Sequence, residues 1–177
     1  NENYINAAQK SQEFIEKNMS DGLKLYTSFR NGKCSKNTFL DDYVFYVASL
    51  IELYNSTLDK KYLDKAEIYC KETIKLFWDD ENGGFYMSNP KSVELFINPK
   101  ETYDGAIPSG NSVMAYNLVR LYQTTENNGY KELLEKQKLL ADAARDAEVR
   151  HAHLAVPDDG HVLDLVHVVV VELLHLA

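Results

Sequence analysis

The sequence predicts an all-α fold, a partial α/α toroid equivalent to a fragment of an (α/α)6 barrel, with short β-hairpins between helix pairs. Two observations predict it. Helical segments that are apolar on nearly every side alternate with segments that are apolar on one side only. In addition, LIELYNST at 50–57 corresponds to LVRLYQTT at 118–125, so the pattern repeats after 68 positions. A repeated helix pair that buries one helix of each pair is typical of a toroid with inner and outer rings.

The first repeat reads as a one-sided helix, a hairpin and a nearly all-apolar helix. Apolar spacing predicts the one-sided helix over Tyr4 to Asn18. The chain then alternates loosely around an Asn31-Gly32 turn, as a hairpin does. The apolar helix is predicted to start at Asp41 or Asp42, either of which can cap it, and to end at Tyr54.

The second repeat follows the same order. An amphipathic helix is predicted from an Asp59 cap to Phe77. The string WDDENGGFYMS at 78–88 predicts a turn and a short strand, with which ELFIN at 94–98 can pair as a hairpin. A second apolar helix is predicted over Ser109 to Thr124, and a polar helix over Gly129 to Ala144.

The composition of the chain changes abruptly near Ala141. All lysines lie at or before Lys138, and all five histidines lie at or after His151. We predict that residues 1–140 form the C-terminal half of an (α/α)6 barrel, about two and a half helix pairs. Residues 141–177 are predicted to be a final helical segment of the same domain. His151 and His153 have no third ligand at a fixed spacing, so no metal site is predicted.

Composition excludes several classes of function. The net charge is −8 and no basic run occurs, which argues against a nucleic-acid partner. No uninterrupted apolar run is long enough for a membrane helix. Cys34 and Cys70 have neither CxxC nor metal spacing, so we expect reduced thiols and a cytoplasmic protein. The glycine pairs match no phosphate-binding motif, and no cofactor is predicted.

The inner helices of a toroid run parallel, so their N-termini open on one rim. That rim would receive FLDDY at 39–43 and YDGAIPSGN at 103–111. Helix N-termini favour negative charge and lower the pKa of a carboxylate, which suits a nucleophile, a base or an acceptor for sugar hydroxyls. Paired carboxylates beside aromatic rings are used in glycoside chemistry. The predicted catalytic residues are Asp42 and Asp104. The predicted ligand-binding residues are Tyr43, Trp78, Glu101, Tyr103, Ser109 and Asn111.

Each of these residues also has a purely structural interpretation. Asp41 or Asp42 can serve only as a helix cap, and Asp104-Gly105 only as a tight turn. Pro108-Ser109 is a normal helix entry, and residues 78–83 are typical of a surface turn. No Ser–His or Cys–His pair exists before residue 151, so no nucleophilic triad is predicted.

Three strings carry a family resemblance: FLDDYVFYVASLIELYNST, LFWDDENGGFYMS and PKETYDGAIPSGNSVMAYNLVRL. Over about 23–136, the chain closely resembles the C-terminal part of the spermatogenesis-associated protein 20-like family. Members of that family join a thioredoxin-like domain to an (α/α)6 barrel. The barrel is similar to N-acylglucosamine 2-epimerase-like and six-hairpin glycosidase-like proteins. The resemblance implies that the thioredoxin-like domain and the first barrel repeats are missing from this chain.

The resemblance leaves two functional hypotheses. Epimerase relatives use histidines as acid and base, and no residue before 151 can take that role, whereas glycosidase relatives use Asp and Glu, as at Asp42 and Asp104. The first hypothesis is a carbohydrate-binding or carbohydrate-active barrel, whose activity, if any, is glycosidase-like or sugar-isomerase-like. The second is a non-catalytic scaffold or partner-binding module for the thioredoxin-like domain. A half ring would expose the faces of its buried helices, so we also predict self-association.

Overall fold

A computed structural model describes residues 2–35, 37–91 and 98–137. The chain divides into two compact units, the first made of Asn1–Phe77 and Tyr86–Asn98 and the second of Trp78–Phe85 and the chain from Pro99 onward. The elements in chain order are α1 (Glu2–Asn18), β1 (Ser20–Asp21), β2 (Lys24–Leu25), β3 (Phe29–Arg30), β4 (Lys33–Cys34), α2 (Leu40–Thr57), α3 (Lys60–Phe77), α4 (Gly110–Thr125) and α5, helical over 128–137.

Two short antiparallel hairpins connect α1 to α2 in the first unit. β1 pairs with β2, and β3 pairs with β4, in a register that sets Phe29 opposite Cys34. Asn31 and Gly32 have φ angles of 51° and 74°, the left-handed pair that a tight two-residue hairpin turn requires. The predicted turn is therefore confirmed.

The helix α2 is buried on most of its surface, as its composition predicts. Its N-cap is Phe39, whose extended backbone leads into the helix. The predicted cap at Asp41 or Asp42 is therefore wrong by two or three positions, because both aspartates lie inside the first turn. Asp42 still serves the helix start, because its carboxylate Oδ2 accepts the Phe39 N–H at 2.8 Å.

The helix α3 begins after Asp59, as predicted, because the Asp59 carboxylate accepts the backbone N–H of Lys61 at 3.1 Å. Its buried side packs against α2, and the edge-to-face contact between Tyr46 and Tyr69, with ring centroids 4.9 Å apart, joins the two helices. The side chains with no or almost no exposure in this core include Tyr43, Val44, Val47, Leu50, Ala66, Cys70 and Phe77.

The second unit contains the turn from Trp78 to Phe85, the helix α4 and the described part of α5. Ser109, which was predicted as the helix entry, is the N-cap of α4, and ten of the helix residues are buried from Gly110 to Leu121. Most of the predicted ELFIN strand, the helix beyond 137 and the segment 141–177 lie outside the described residues. Across the described ranges, no helix combines the length and apolarity needed to cross a membrane.

The sequence repeat is also a repeat of hydrogen bonds. After α2 and after α4, Leu58 and Glu126 adopt left-handed backbones with φ of 55° and 57°, and each N–H returns to the carbonyl four residues earlier. Just before them, the hydroxyls of Thr57 and Thr125 donate to carbonyls four residues back, at 2.6 and 2.7 Å. Both helices therefore end in the same αL cap.

Candidate functional site

The start of α4 is a polar cluster centred on Asp104. One Asp104 oxygen accepts the Ser109 N–H at 2.7 Å, and the other accepts the Ser112 hydroxyl at 2.9 Å. The Ser109 hydroxyl accepts the Ser112 N–H and donates to the Ser112 hydroxyl at 3.0 Å. Ser109 is buried and occupied as a cap, so its hydroxyl serves the helix first. Asp104 is half-buried and is held in one orientation by these bonds.

Asn111 was predicted to bind a ligand, yet its side chain is buried and fully used inside the protein. Its amide oxygen accepts the Phe85 N–H at 2.8 Å, and its amide nitrogen donates to the carbonyls of Phe85 and Glu101 at 2.9 and 2.8 Å. Gln137 of α5 donates to the Asn111 carbonyl at 2.7 Å. The Asn111 side chain therefore ties both the turn that ends at Phe85 and the loop at Glu101 to the start of α4.

A buried ion pair, which sequence reasoning missed, anchors the same region. The Lys100 ammonium lies 2.6 Å from the Asp79 carboxylate and 2.5 Å from the Gly83 carbonyl oxygen. Only 13% of the Lys100 side chain and 6% of the Asp79 side chain are exposed. The surface-turn interpretation of 78–83 is therefore wrong for Asp79, although Asp80 and Glu81 are exposed. No local pattern signals the pair, because its partners are 21 positions apart.

The turn that presents Asp79 and Gly83 depends on glycine. Gly83 has a φ of 71°, and a Cβ added there would lie 2.8 Å from the Lys136 carbonyl oxygen of α5. Any other residue would be strained at this backbone conformation and would collide with α5. The ring of Trp78 is half-buried and packs edge to face on Phe85, with ring centroids 5.0 Å apart.

The exposed part of the cluster is the ring of Tyr103, of which 63% is accessible. The carboxylate of Glu101 accepts the Tyr103 N–H at 3.0 Å, and Asp104 follows directly in the chain. A Cβ added at Gly105 would meet the Tyr103 ring at 3.3 Å, so the glycine leaves room for the ring. An exposed aromatic side chain thus lies between two acidic residues in the chain, on a segment that is hydrogen-bonded at both ends. We call residues 101–107 the rim segment.

The start of α2, in the first unit, holds the other two predicted residues. Asp42 accepts the Phe39 N–H and the Thr27 hydroxyl, the latter at 2.9 Å. Tyr43 is fully buried, and its hydroxyl accepts the Leu25 N–H and donates to the Leu23 carbonyl. Burial raises the pKa of Tyr43. Tyr43 is therefore an anchor for the β1–β2 hairpin, and its burial counts against direct ligand contact.

The predicted residues fall into two groups, one in each unit. Asp42 and Tyr43 belong to the first unit, and Trp78, Glu101, Tyr103, Asp104, Ser109 and Asn111 belong to the second. A rim shared by Asp42 and Asp104 stays a prediction. Within the described ranges, no three His, Cys, Asp or Glu residues form a group that could hold a metal ion.

A second charged network, in the first unit, was also missed by sequence reasoning. Lys65 of α3 contacts the Glu16 carboxylate of α1 at 2.6 Å, and the Tyr46 hydroxyl donates to the same carboxylate at 3.0 Å. Burial raises the pKa of Glu16, but the hydrogen bonds from Lys65 and Tyr46 and the Lys65 charge outweigh it and leave the pKa lowered. The network borders a cavity of about 450 Å³ beside the β1–β2 hairpin.

The two thiols differ in burial. Cys70 of α3 is fully buried, which raises its pKa to about 12. Cys34 of β4 is half-buried, and its sulfur donates to the Asn18 carbonyl at 2.9 Å. A raised pKa keeps the thiol protonated and so suppresses the reactive thiolate. Cys70 is therefore an unreactive residue of the core.

Comparison with solved structures defines the class of fold. The cellobiose 2-epimerase of Spirochaeta thermophila DSM 6192 matches with a TM-score of 0.63 and 20% sequence identity, over 79% of this chain and 37% of that chain. The predicted all-α toroid is confirmed: the chain has the fold of part of an epimerase-like α/α barrel.

Comparison with curated proteins then gives the closer relationship. Spermatogenesis-associated protein 20 of Mus musculus and of Homo sapiens are each 36% identical over 121 residues, which is 68% of this chain. The uncharacterized protein B0495.5 of Caenorhabditis elegans is 31% identical over 137 residues. No protein-family model matches the chain. The chain is a spermatogenesis-associated protein 20-like sequence, and it spans 15% of the length of the mouse and human relatives.

Proposed function

We propose that the rim segment binds carbohydrate. The observation that carries the proposal is the exposed Tyr103 side chain, which lies between Glu101 and Asp104 in the chain, on a hydrogen-bonded segment that precedes a buried helix. An aromatic face stacks on the C–H face of a sugar ring, and flanking carboxylates accept its hydroxyl groups. Such a combination of one apolar surface and a few fixed polar groups is typical of small-molecule sites.

The hydrogen bonds that order the rim segment favour binding, because the segment has little conformational entropy left to lose when a ligand binds. The Tyr103 N–H is bonded to the Glu101 carboxylate, and the carboxylate of the next residue, Asp104, accepts the backbone N–H of Ser109. A segment that is already ordered loses less conformational entropy when a ligand binds. The name of the structural neighbour gives cellobiose as a substrate of that enzyme, which makes cellobiose the first probe.

The proposal is for binding and includes no epimerase mechanism. All five histidines lie at or after His151, outside the described residues, so none is assigned a role. Of the two carboxylates predicted for a glycosidase-like step, only Asp104 belongs to the rim segment, and Asp42 lies at the start of α2. Both carboxylates accept backbone N–H groups at their helix starts.

Saturation-transfer NMR and a sugar array test the proposal on the 177-residue chain. We expect cellobiose to receive saturation from the wild type and from Tyr116→Ala, and much less from Tyr103→Ala. Tyr116 is a matched control, because it is 42% exposed and lies on α4 outside the rim segment. Asp104→Asn should weaken binding because the acceptor loses its charge. Equal saturation in the Tyr116 and Tyr103 variants would exclude the rim segment as the site.

A second candidate function is a non-catalytic scaffold for a thioredoxin-like domain in a longer cytoplasmic polypeptide. The observation that favours it is that Asp42 and Asp104 are both accounted for as helix-start acceptors. The free thiols Cys34 and Cys70 support a reducing compartment. Calorimetric titration with a separately expressed thioredoxin-like domain decides between the candidates. Binding of that domain, together with no sugar retained on the array, would favour the scaffold.

We also propose that the chain associates with a second copy of itself. It covers 37% of a barrel of this class, and a groove of about 480 Å³ lies open between α1 and α2. Its walls include Tyr4, Ile5 and Leu53. Light scattering should give a mass above the 20.2 kDa of one chain, and Ile5→Glu should lower it. A constant monomer mass at rising concentration would contradict the proposal.

A further inference from the structure

We propose that Lys100 is a positioning residue for the carbohydrate rim, acting on the ligand through Tyr103 and not by contact. This inference rests on the proposed function of residues 101–107. The sequence pattern did not indicate Lys100. Its buried ion pair with Asp79 would, on this inference, contribute to ligand binding.

Lys100 could contact a ligand only if its ammonium first left its present partners. Its ammonium contacts the Asp79 carboxylate and the Gly83 carbonyl oxygen, and 13% of its side chain is exposed. Breaking a buried ion pair leaves the remaining charge without compensation in a poorly solvated place. The pair therefore holds the backbone at position 100 against the turn at 79–83.

The neighbouring residue is held to the same turn by a different side chain. Asn111 donates to the Glu101 carbonyl and forms two further bonds to the backbone of Phe85. Positions 100 and 101 are thus tied to the two ends of one turn, at Asp79 and at Phe85. Two attachments on consecutive residues fix the direction in which the chain leaves the turn, whereas one would leave it free to rotate.

That direction is in turn connected to the exposed ring. The Glu101 carboxylate accepts the Tyr103 N–H, and the backbone beyond is held by Asp104 through Ser109. The ring of Tyr103 then rests beside Gly105, where a Cβ would approach it to 3.3 Å. A change in the direction of the chain at Lys100 is therefore transmitted to the position of the ring.

A double-mutant cycle with cellobiose as the probe tests the inference. We expect Lys100→Met to weaken binding by about tenfold in the wild-type background and by less than about twofold in the Tyr103→Ala background, because residues that act through one another are non-additive. Lys100→Arg should restore most of the affinity. The control Lys75→Met, at a lysine that is 71% exposed, should change nothing. Equal weakening in both backgrounds, or none in either, would overturn the inference.

Two further measurements keep the outcome decisive. If Lys100→Met does not fold, the neutral pair Asp79→Asn with Lys100→Gln replaces it, because no charge is then left buried alone. If Tyr103→Ala does not affect sugar binding, the proposed function fails, and amide exchange at Tyr103 then tests positioning by itself. The inference predicts faster exchange there in the Lys100 variants than in Lys75→Met. An unchanged exchange rate at Tyr103 would refute it.

Discussion

The C-terminal ends of α2 and α4 are built alike, whereas the N-terminal starts of the same two helices differ. Each helix ends in a threonine followed by a left-handed residue, at Leu58 and at Glu126. The next helices also start alike, because Asp59 and Asn127 each accept a backbone N–H two residues later, at 3.1 and 3.0 Å. The 68-residue repeat is thus preserved in detail at the connections that lead from α2 to α3 and from α4 to α5.

The starts perform one shared task with different residues. Tyr43 and Asn111 occupy equivalent positions in the repeat, and each ties its helix to the backbone of the preceding hairpin or turn. The acceptor for the helix start is Asp42 from inside α2, but Asp104 from the loop before α4. The second arrangement carries the more exposed aromatic side chain, with Tyr103 63% exposed and Phe39 37% exposed. The rim segment thus precedes a helix start that is otherwise anchored in the same way as the start of α2.

The largest expected effect compares the two anchors. Asn111→Ala leaves three backbone groups of Phe85 and Glu101 without their partners, so the free energy of unfolding should fall by about 4 kcal/mol. Tyr43→Phe removes one hydroxyl and should lower it by about 1.5 kcal/mol. Urea denaturation of both variants checks the order. A larger loss of unfolding free energy for Tyr43→Phe than for Asn111→Ala would contradict the assignment of the stronger backbone anchor to Asn111.

The next effect compares a buried with an exposed ion pair. Lys100→Met should lower the free energy of unfolding by about 3 kcal/mol, because the Asp79 charge stays buried without its partner. Lys75→Met, which breaks the exposed pair with Glu72, should cost less than about 0.5 kcal/mol. The same urea titration measures both. Similar small losses would show that the turn at 79–83 does not depend on Lys100.

The equivalence of the helix ends predicts two equal gains. Leu58→Gly and Glu126→Gly should each raise the free energy of unfolding by about 0.5–1 kcal/mol, since glycine tolerates the left-handed backbone at both sites. Thermal melts of the two variants provide the comparison. A gain at one position and a loss at the other would break the likeness between the two ends.

The smallest effect concerns an ion pair that the second repeat lacks, because Leu133 stands where the first repeat has Lys65. The folded-state pKa of Glu16 is lowered, so its contribution to stability is present above the unfolded-state pKa and is lost as the pH falls through the folded-state pKa. Glu16→Gln should therefore cost about 0.5 kcal/mol near neutral pH. The difference from wild type should shrink in denaturation curves as the pH falls below the ordinary titration range of glutamate. A difference independent of pH would exclude the ion pair as its cause.

Local signals were sufficient to predict most of the fold. The Asp59 cap, the helix entry at Pro108-Ser109 and the Asn31-Gly32 turn depend on residues within a few positions, and all three are confirmed. The start of α2 was placed too late because Phe39 is a poor cap by residue type. Its position is fixed by a bridge to Ser88, 49 positions away, which no local pattern reports.

The candidate site was predicted less completely, for a related reason. The aromatic ring of Tyr43 and the polar side chain of Asn111 suggested ligand contact. Both residues belong to helices that are buried nearly all round, and their polar groups bond the neighbouring backbone instead. Lys100 was missed because its partner Asp79 is chosen by the tertiary fold. Residue type indicated which side chains have functional groups suited to a site. Burial in the fold determined which of those groups are accessible to solvent.

The central claim is that the start of α4, and not the start of α2, presents a carbohydrate surface. Two-dimensional amide NMR of the 177-residue chain, titrated with cellobiose, tests it most directly. The account predicts saturable shift changes at Glu101, Tyr103 and Asp104, with none at Asp42 or Tyr43. Shift changes centred on the start of α2, or none anywhere at high sugar concentration, would contradict it.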